Sequence, residues 1–127
     1  EMAADGEGRV PVAVLNDALG LGFQVTTRKE QLPCAYQWQN FQAGQYAMGI
    51  EPSTHHVLGD LAARERGEMI WLEHDESREY DVSFCALDGA QALANAEAAI
   101  RSIAVQPEED YPQPSSNFHP LRLNDVK

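Results

Sequence analysis

Basic residues are scarce in this chain. Nine lysines and arginines stand against 20 aspartates and glutamates, a net charge of −11. Such a surface repels phosphate backbones and anionic bilayers, so neither nucleic acid nor membrane is expected as a partner. Long hydrophobic runs are also missing. No stretch approaches the ~18 apolar residues needed to cross a bilayer, and the front shows no basic, apolar, small-residue signal pattern. The first residue is Glu1 rather than Met, which suggests a processed or fragmentary chain. Two cysteines, Cys34 and Cys85, make no disulfide framework; each sits in an apolar run and reads as a small buried hydrophobe. That usage points to a reducing, cytoplasmic setting. There is no internal repeat, no Gly-x-Ser-x-Gly elbow and no glycine-rich phosphate loop before a helix. "GLGF" at 20–23 is a hairpin exit, not a dinucleotide fingerprint.

What is present is an alternating β pattern. At 127 residues and 43% hydrophobic, the chain suits one domain or part of one. Val10, Val12 and Val14 recur at period two, turn residues follow at "NDALG", and Leu21, Phe23 and Val25 resume the alternation, so a hairpin is expected. Cys34, Tyr36 and Trp38 share a face of the next strand. After the turn at Gly44, Tyr46, Met48 and Ile50 alternate with Ala47, Gly49 and Glu51. Pro52 denies the next backbone donor, so this strand should end at Glu51. Asp60 can cap a helical turn through "LAARER", closed by Gly67. "EMIWLE" and "REYDVSFCAL" read as two further strands joined by the charged turn "HDES". Asp88 can cap a helix over "GAQALANAEAAIRSIA", with Leu93, Ala96, Ile100 and Ile103 as its apolar stripe. Residues 106–127 hold Pro107, Pro112, Pro114 and Pro120 without periodicity and read as an extended or disordered tail. Six antiparallel strands and one late helix indicate an all-β sandwich or half-barrel. Six strands do not close by themselves, so an incomplete domain is expected, with the remainder of the domain or a homo-oligomer as partner.

Glu51 is the first candidate for chemistry. Bulky Tyr46, Met48 and Ile50 belong in the core, whereas Ala47 and Gly49 leave room on the face that Glu51 terminates. A ligand over Ala47 and Gly49 would meet the carboxylate; alternatively Glu51 is a solvated strand-end charge. His55 and His56 are adjacent and match neither His-x-His nor an i, i+4 zinc pair, so no metal is expected. His55 is the candidate for a hydrogen bond at the rim of a site. Trp38, with Tyr36 and Phe41, could stack on a sugar face or fill the core. Arg64, Glu65, Arg66 and Glu68 form a mixed charge run that reads as a solvated face. His74 and His119 have no constellation around them.

"GQYAMGIEPSTHHVLG" followed by "GEMIWLEHDESREYDVSFCAL" resembles the C-terminal part of aldose 1-epimerases in the galactose mutarotase-like superfamily, and more closely an uncharacterised branch known as a domain of unknown function. The resemblance runs from about Gly8 to Ala104. In that family a strand ends in an apolar-Glu step, a Pro-containing loop follows, and an "L-x-P-G-E-x-Y" turn leads into the last long strand. The corresponding turn here is "WLEHDESREY", with Glu76 and Tyr80 matched to the pattern. The resemblance implies that residues 1–105 are the C-terminal portion of a mutarotase-like β-sandwich. It also implies that Glu51 is a general base removing the anomeric proton of a cyclic sugar, with no cofactor. The family's histidine acid lies upstream of the region covered. The family's Thr/Ser-Gln and Pro-Asp-x-x-Asn loop is replaced by Pro52-Ser53-Thr54-His55-His56. The resemblance thus implies a carbohydrate-binding, aldose 1-epimerase-like isomerase fragment, inactive alone; the alternative is a non-catalytic carbohydrate-binding module of the same fold.

The tail yields a direct test. Cutting the chain after Val105 should change thermal stability by no more than about 1 kcal/mol, as for an untethered terminus. A larger loss in a melting experiment would mean that Phe118 or Leu121 docks on the sheet.

Overall fold

The computed structural model describes residues 2–103. The tail expected over 106–127 therefore lies outside the described residues. Five strands and two helices run in the order β1 (Arg9–Asn16), β2 (Leu21–Arg28), β3 (Cys34–Asn40), β4 (Ala47–Ser53), α1 (Asp60–Glu65), β5 (Ser83–Asp88) and α2 (Ala90–Ile103). They form a three-stranded antiparallel sheet, β1-β2-β5, and a two-stranded antiparallel sheet, β3-β4.

The first hairpin forms as the alternation demands. β1 and β2 pair in full from Arg9 opposite Arg28 to Asn16 opposite Leu21. Asn16 ends β1 by accepting the N–H of Leu19 on its side-chain oxygen at 3.0 Å, and Gly20 takes the positive φ of 65° that closes the loop. Register then sorts the sheet into two faces. Val12, Val14, Phe23, Val25 and Phe84 share one face, where Phe23 and Phe84, diagonal neighbours, stack with ring centroids 6.0 Å apart. The other face carries Pro11, Gln24, Thr26 and Ser83, and α2 lies across it with Ala99 and Ile103 nearby.

α2 docks through its apolar stripe. Leu93 is 2% exposed and Ala96 is buried with it, while Ile100 and Ile103 are half-buried. Its start differs from expectation. The carbonyl of Gly89, not the side chain of Asp88, accepts the first helical hydrogen bond, from the N–H of Leu93 at 3.2 Å, and Gly89 N–H donates to Gly20 O at 2.8 Å. Gly89 adopts a φ of 85°, which permits the tight passage from β5 into the helix.

Three strand expectations are corrected. β4 does not stop at Glu51 but runs through Pro52 to Ser53, with Ala35 opposite Pro52. Among the described residues β4 pairs with β3 alone, and an edge strand is where a proline is tolerated. "EMIWLE" is not a strand, and of "REYDVSFCAL" only Ser83–Asp88 is. The reason is the lack of a ladder partner. β2 ends at Arg28 and turns away, with Gln31 and Leu32 N–H both donating to Arg28 O. Residue 81 is then held by side chains: Asp81 N–H donates to Gln31 Oε1 at 2.7 Å, and Gln31 and Arg28 both reach Asp81 Oδ2 at 3.2 Å. The "HDES" turn does form, with Glu76 N–H donating to Glu73 O and Asp75 at a φ of 65°.

Burial expectations also change. Tyr46 is 76% exposed and Met48 is exposed, whereas Ile50, farther along the same face, is half-buried where the ribbon shares a cleft with Val12 and Val14 of β1. Cys85 is exposed on the edge strand β5, and Cys34 is half-buried. No helix among the described residues is long and apolar enough to cross a membrane.

Because so few large side chains are enclosed, Leu93 should dominate the stability of the β1-β2-β5 sheet with α2. Leu93→Ala should cost about 2–5 kcal/mol in urea unfolding. Leu61→Ala, at an exposed position, should stay within about 0.5 kcal/mol. Equal effects would show that α2 is not anchored by its stripe.

Candidate functional site

The β3-β4 ribbon sets the geometry. Register places Tyr36 opposite Glu51, Trp38 opposite Gly49, and Cys34 opposite Ser53, so all six belong to one face. The sequence-predicted Glu51 and Trp38 are thereby brought together across the ribbon. Trp38 is 51% exposed among the described residues. Gly49 has a specific role here. A Cβ at that position would lie 2.7 Å from Glu51 Oε1, so the carboxylate folds back over the glycine, toward the rung of Trp38. The space expected above Gly49 exists, and Glu51's own exposed side chain occupies it.

Beyond Ser53 the chain forms a tightly stitched loop. Ser53 Oγ donates to His55 O at 2.8 Å and accepts the N–H of His55 at 3.3 Å. Val57 N–H donates to the Tyr36 hydroxyl at 3.3 Å, which ties the loop to the rung of Glu51. Partial burial pushes the Tyr36 hydroxyl above its ordinary range. The Val57 N–H works against that, and nearby Cys34 and Glu68 add to it. The His55 ring bonds through Nδ1 to the carbonyl of His56 at 2.8 Å. A carbonyl oxygen only accepts, so Nδ1 carries the hydrogen and Nε2 is the open nitrogen.

His56 is held by a residue that sequence reading placed on a solvated face. Glu68 accepts the backbone N–H of His56 at 3.2 Å on one oxygen and meets His56 Nδ1 at 2.9 Å with the other. Its position is set by how α1 ends. Gly67, at a φ of 70°, donates to Arg64 O at 3.1 Å, and Glu68 N–H reaches back to Ala63 O at 2.8 Å. This pair of bonds is a Schellman closure, and it swings the residue after the glycine inward. Gly67 was therefore the signal in the sequence that Glu68 differs from its charged neighbours. The start of α1 departs from expectation, since Gly59 precedes it and Asp60 makes no side-chain cap; Asp60 instead pairs with Arg64 at 3.5 Å. Desolvation works to raise the Glu68 carboxyl, but the His56 N–H and ring, with Arg66 at 3.8 Å, outweigh it and hold the carboxyl below its ordinary value.

The loop and the start of β3 enclose a cleft of about 350 Å³ lined by Pro33, Cys34, Thr54, His55, His56 and Glu68. A second, of about 320 Å³, adjoins it through Pro33, Cys34 and His56. Neither is lined by Glu51 or Trp38. His55 thus lies in the cleft, and Glu51 lies one rung along the ribbon face of Cys34, which also lines it, roughly 7 Å by strand rise. Among the described residues no group of three or more His, Cys, Asp or Glu side chains is arranged to hold a metal ion.

Comparison with known proteins agrees with this architecture. Residues 1–86 match the family model described as domain of unknown function (DUF4432). The crystal structure of a putative aldose 1-epimerase from Klebsiella pneumoniae superposes with a TM-score of 0.72 at 26% sequence identity, over 80% of this chain. The match spans 27% of that structure's own chain. The fold is accordingly an antiparallel sandwich of the aldose epimerase-like kind. No curated protein matches the chain.

The acid range tests the Glu68 contact. A carboxyl lowered on folding adds stability above its ordinary value of 4.5 and loses that contribution as pH falls through the folded value. Urea unfolding of the parent chain and of Glu68→Gln should therefore converge below that value. A constant offset at every pH would show that the carboxylate form is not what the contact stabilises.

Proposed function

The chain belongs to the DUF4432 family, and from that premise we propose that it forms the sugar-facing end of an aldose 1-epimerase-like isomerase, with Glu51 as general base. The observation that carries this reading is the placement of Glu51. It sits at the apolar-Glu step of β4, on a face whose opposing rungs are Tyr36 and Trp38, in a chain similar to the Klebsiella structure described above.

The chemistry follows from that placement. A cyclic aldose lying along the ribbon would set its apolar C–H face against the exposed Trp38 ring. Its anomeric hydroxyl would face Glu51, whose carboxylate swings off Gly49 to accept the proton. Loss of that proton, with protonation of the ring oxygen by an acid, opens the ring. Rotation of the aldehyde and reclosure then give the other anomer, and the proton returns from Glu51. No oxidation, reduction or group transfer is involved, so no cofactor is required. The acid comes from the part of the sandwich outside these residues, as the 27% coverage of the related structure leaves room for. Pairing to Tyr36 fixes the backbone beneath Glu51, and the glycine beside it leaves the side chain free to reach a ligand.

A binding module without chemistry would use the same Trp38 platform, and one substitution separates the two. In a polypeptide that joins these residues to the rest of the sandwich, Glu51→Gln keeps size and hydrogen bonding but cannot accept a proton. Anomer interconversion, followed by polarimetry, should fall by roughly 10²–10⁴-fold, while sugar affinity by calorimetry changes far less. An unchanged rate with weakened binding would make this a binding module.

A further inference from the structure

The loop after β4 holds two imidazoles that the reading above does not use. Each lines the same cleft, and each has its Nδ1 engaged: His55 by the His56 carbonyl at 2.8 Å and His56 by Glu68 at 2.9 Å. The acceptors are a carbonyl and a carboxylate, so both rings carry hydrogen on Nδ1. The nitrogen left to each is Nε2, with its lone pair exposed when the ring is neutral. Two adjacent histidines in an extended strand would point to opposite faces; here the Ser53–His55 bonds bend the chain and bring both rings to one cavity.

We propose that this cleft is a second subsite for an uncharged polyhydroxylated ligand, in which His55 and His56 accept hydrogen bonds from ligand hydroxyls through Nε2. Glu68 acts as a positioning residue for His56. The inference rests on the carbohydrate reading of Glu51 and extends it from the reacting centre to the far side of the ring or to a neighbouring sugar. Three observations support the ligand class. The groups facing the cleft are hydrogen-bonding but include a carboxylate, and the chain carries a net charge of −11, so an anionic ligand meets repulsion. The donor set does not assemble into a metal site among the described residues. Pro33 supplies an apolar wall, matching the C–H patches that alternate with hydroxyls on a sugar. The subsite adjoins the face that carries Glu51, since Cys34, which lines the cleft, pairs with Ser53 two residues beyond Glu51 on β4.

The test is an NMR titration of the full chain, labelled with ¹⁵N, using galactose and, separately, glucose 6-phosphate as probes. Galactose should shift the Nε2 resonances of His55 and His56 saturably, and glucose 6-phosphate should bind more weakly. His56→Gln should weaken galactose binding roughly tenfold, as expected for one lost hydrogen bond in a site. Thr54→Val, nearly isosteric, should weaken it to a smaller degree, and amide spectra check that both variants are folded. Glu68→Gln should convert the His56 ring from one tautomer to a mixture, visible in its long-range ¹H–¹⁵N correlations, while lowering affinity several-fold. A merely structural Glu68 would leave the tautomer unchanged and overturn its positioning role. Galactose shifts confined to Glu51 and Trp38, with His56→Gln unaffected, would overturn the subsite and leave the Glu51 reading intact. Binding that depends on His56 in a protein whose anomer exchange ignores Glu51→Gln would support the subsite and sink the base. Preference for the phosphate, or no galactose binding at all, would overturn the subsite.

Discussion

The contact between Glu68 and His56 organises everything that lies beyond Glu51. One carboxylate takes both a backbone N–H and a ring nitrogen of the same residue, and so fixes where the β4–α1 loop lies and how the ring is turned. Without it the loop would be anchored only at Ser53 and by the bond from Val57 to Tyr36. α1 exists in part to deliver this carboxylate. It is six residues long, too short to be stable alone, yet its glycine closure places Glu68 with the accuracy of a helix end. A charge-assisted hydrogen bond of this kind at the surface adds little to stability. Its value is orientation, because an imidazole with one nitrogen committed has a defined chemistry at the other.

The same logic explains the glycine beneath the catalytic candidate. A base has to be placed by a rigid backbone and still be able to move its carboxylate into line. β4 supplies the first through its pairing with Tyr36 and Trp38, and Gly49 the second by leaving nothing in the path of the side chain. Proline after the glutamate was expected to end the strand. Instead the strand continues past it to Ser53, which carries the ribbon to the cleft lined by Thr54, His55 and His56.

Much of this architecture was legible in the residues. β1 to β4 were readable because period-two alternation and turn residues at Asn16, Gly20 and Gly44 are local properties. Register then follows from turn position, so the grouping of Glu51 with Trp38 needed no tertiary information. What failed was whatever depended on a partner. "EMIWLE" has strand composition, yet a strand also needs an available edge, and β2 turns away after Arg28. Tyr46, Met48 and Cys85 have the chemistry of buried residues, but no part of the described chain covers them. Glu68 was missed because a charge within a mixed run looks like solvent-facing decoration; its distinction is a backbone property, the left-handed Gly67 before it. The joint placement of His55 and His56 at one cleft was not legible either, because it depends on the turn that Ser53 makes with His55.

β2 and β5 are neighbours in the sheet, yet the β3-β4 ribbon and α1 lie between them in sequence. The site-bearing stretch is thus an excursion from a continuous base of β1, β2, β5 and α2. Its two stems are clipped together where Gln31 and Arg28 meet Asp81. A clip at the neck confines changes to the loop above it. No residue of the ribbon, its loop or α1 takes part in the ladder between β2 and β5, so the register of the platform is set independently of the sequence and length of the excursion it carries.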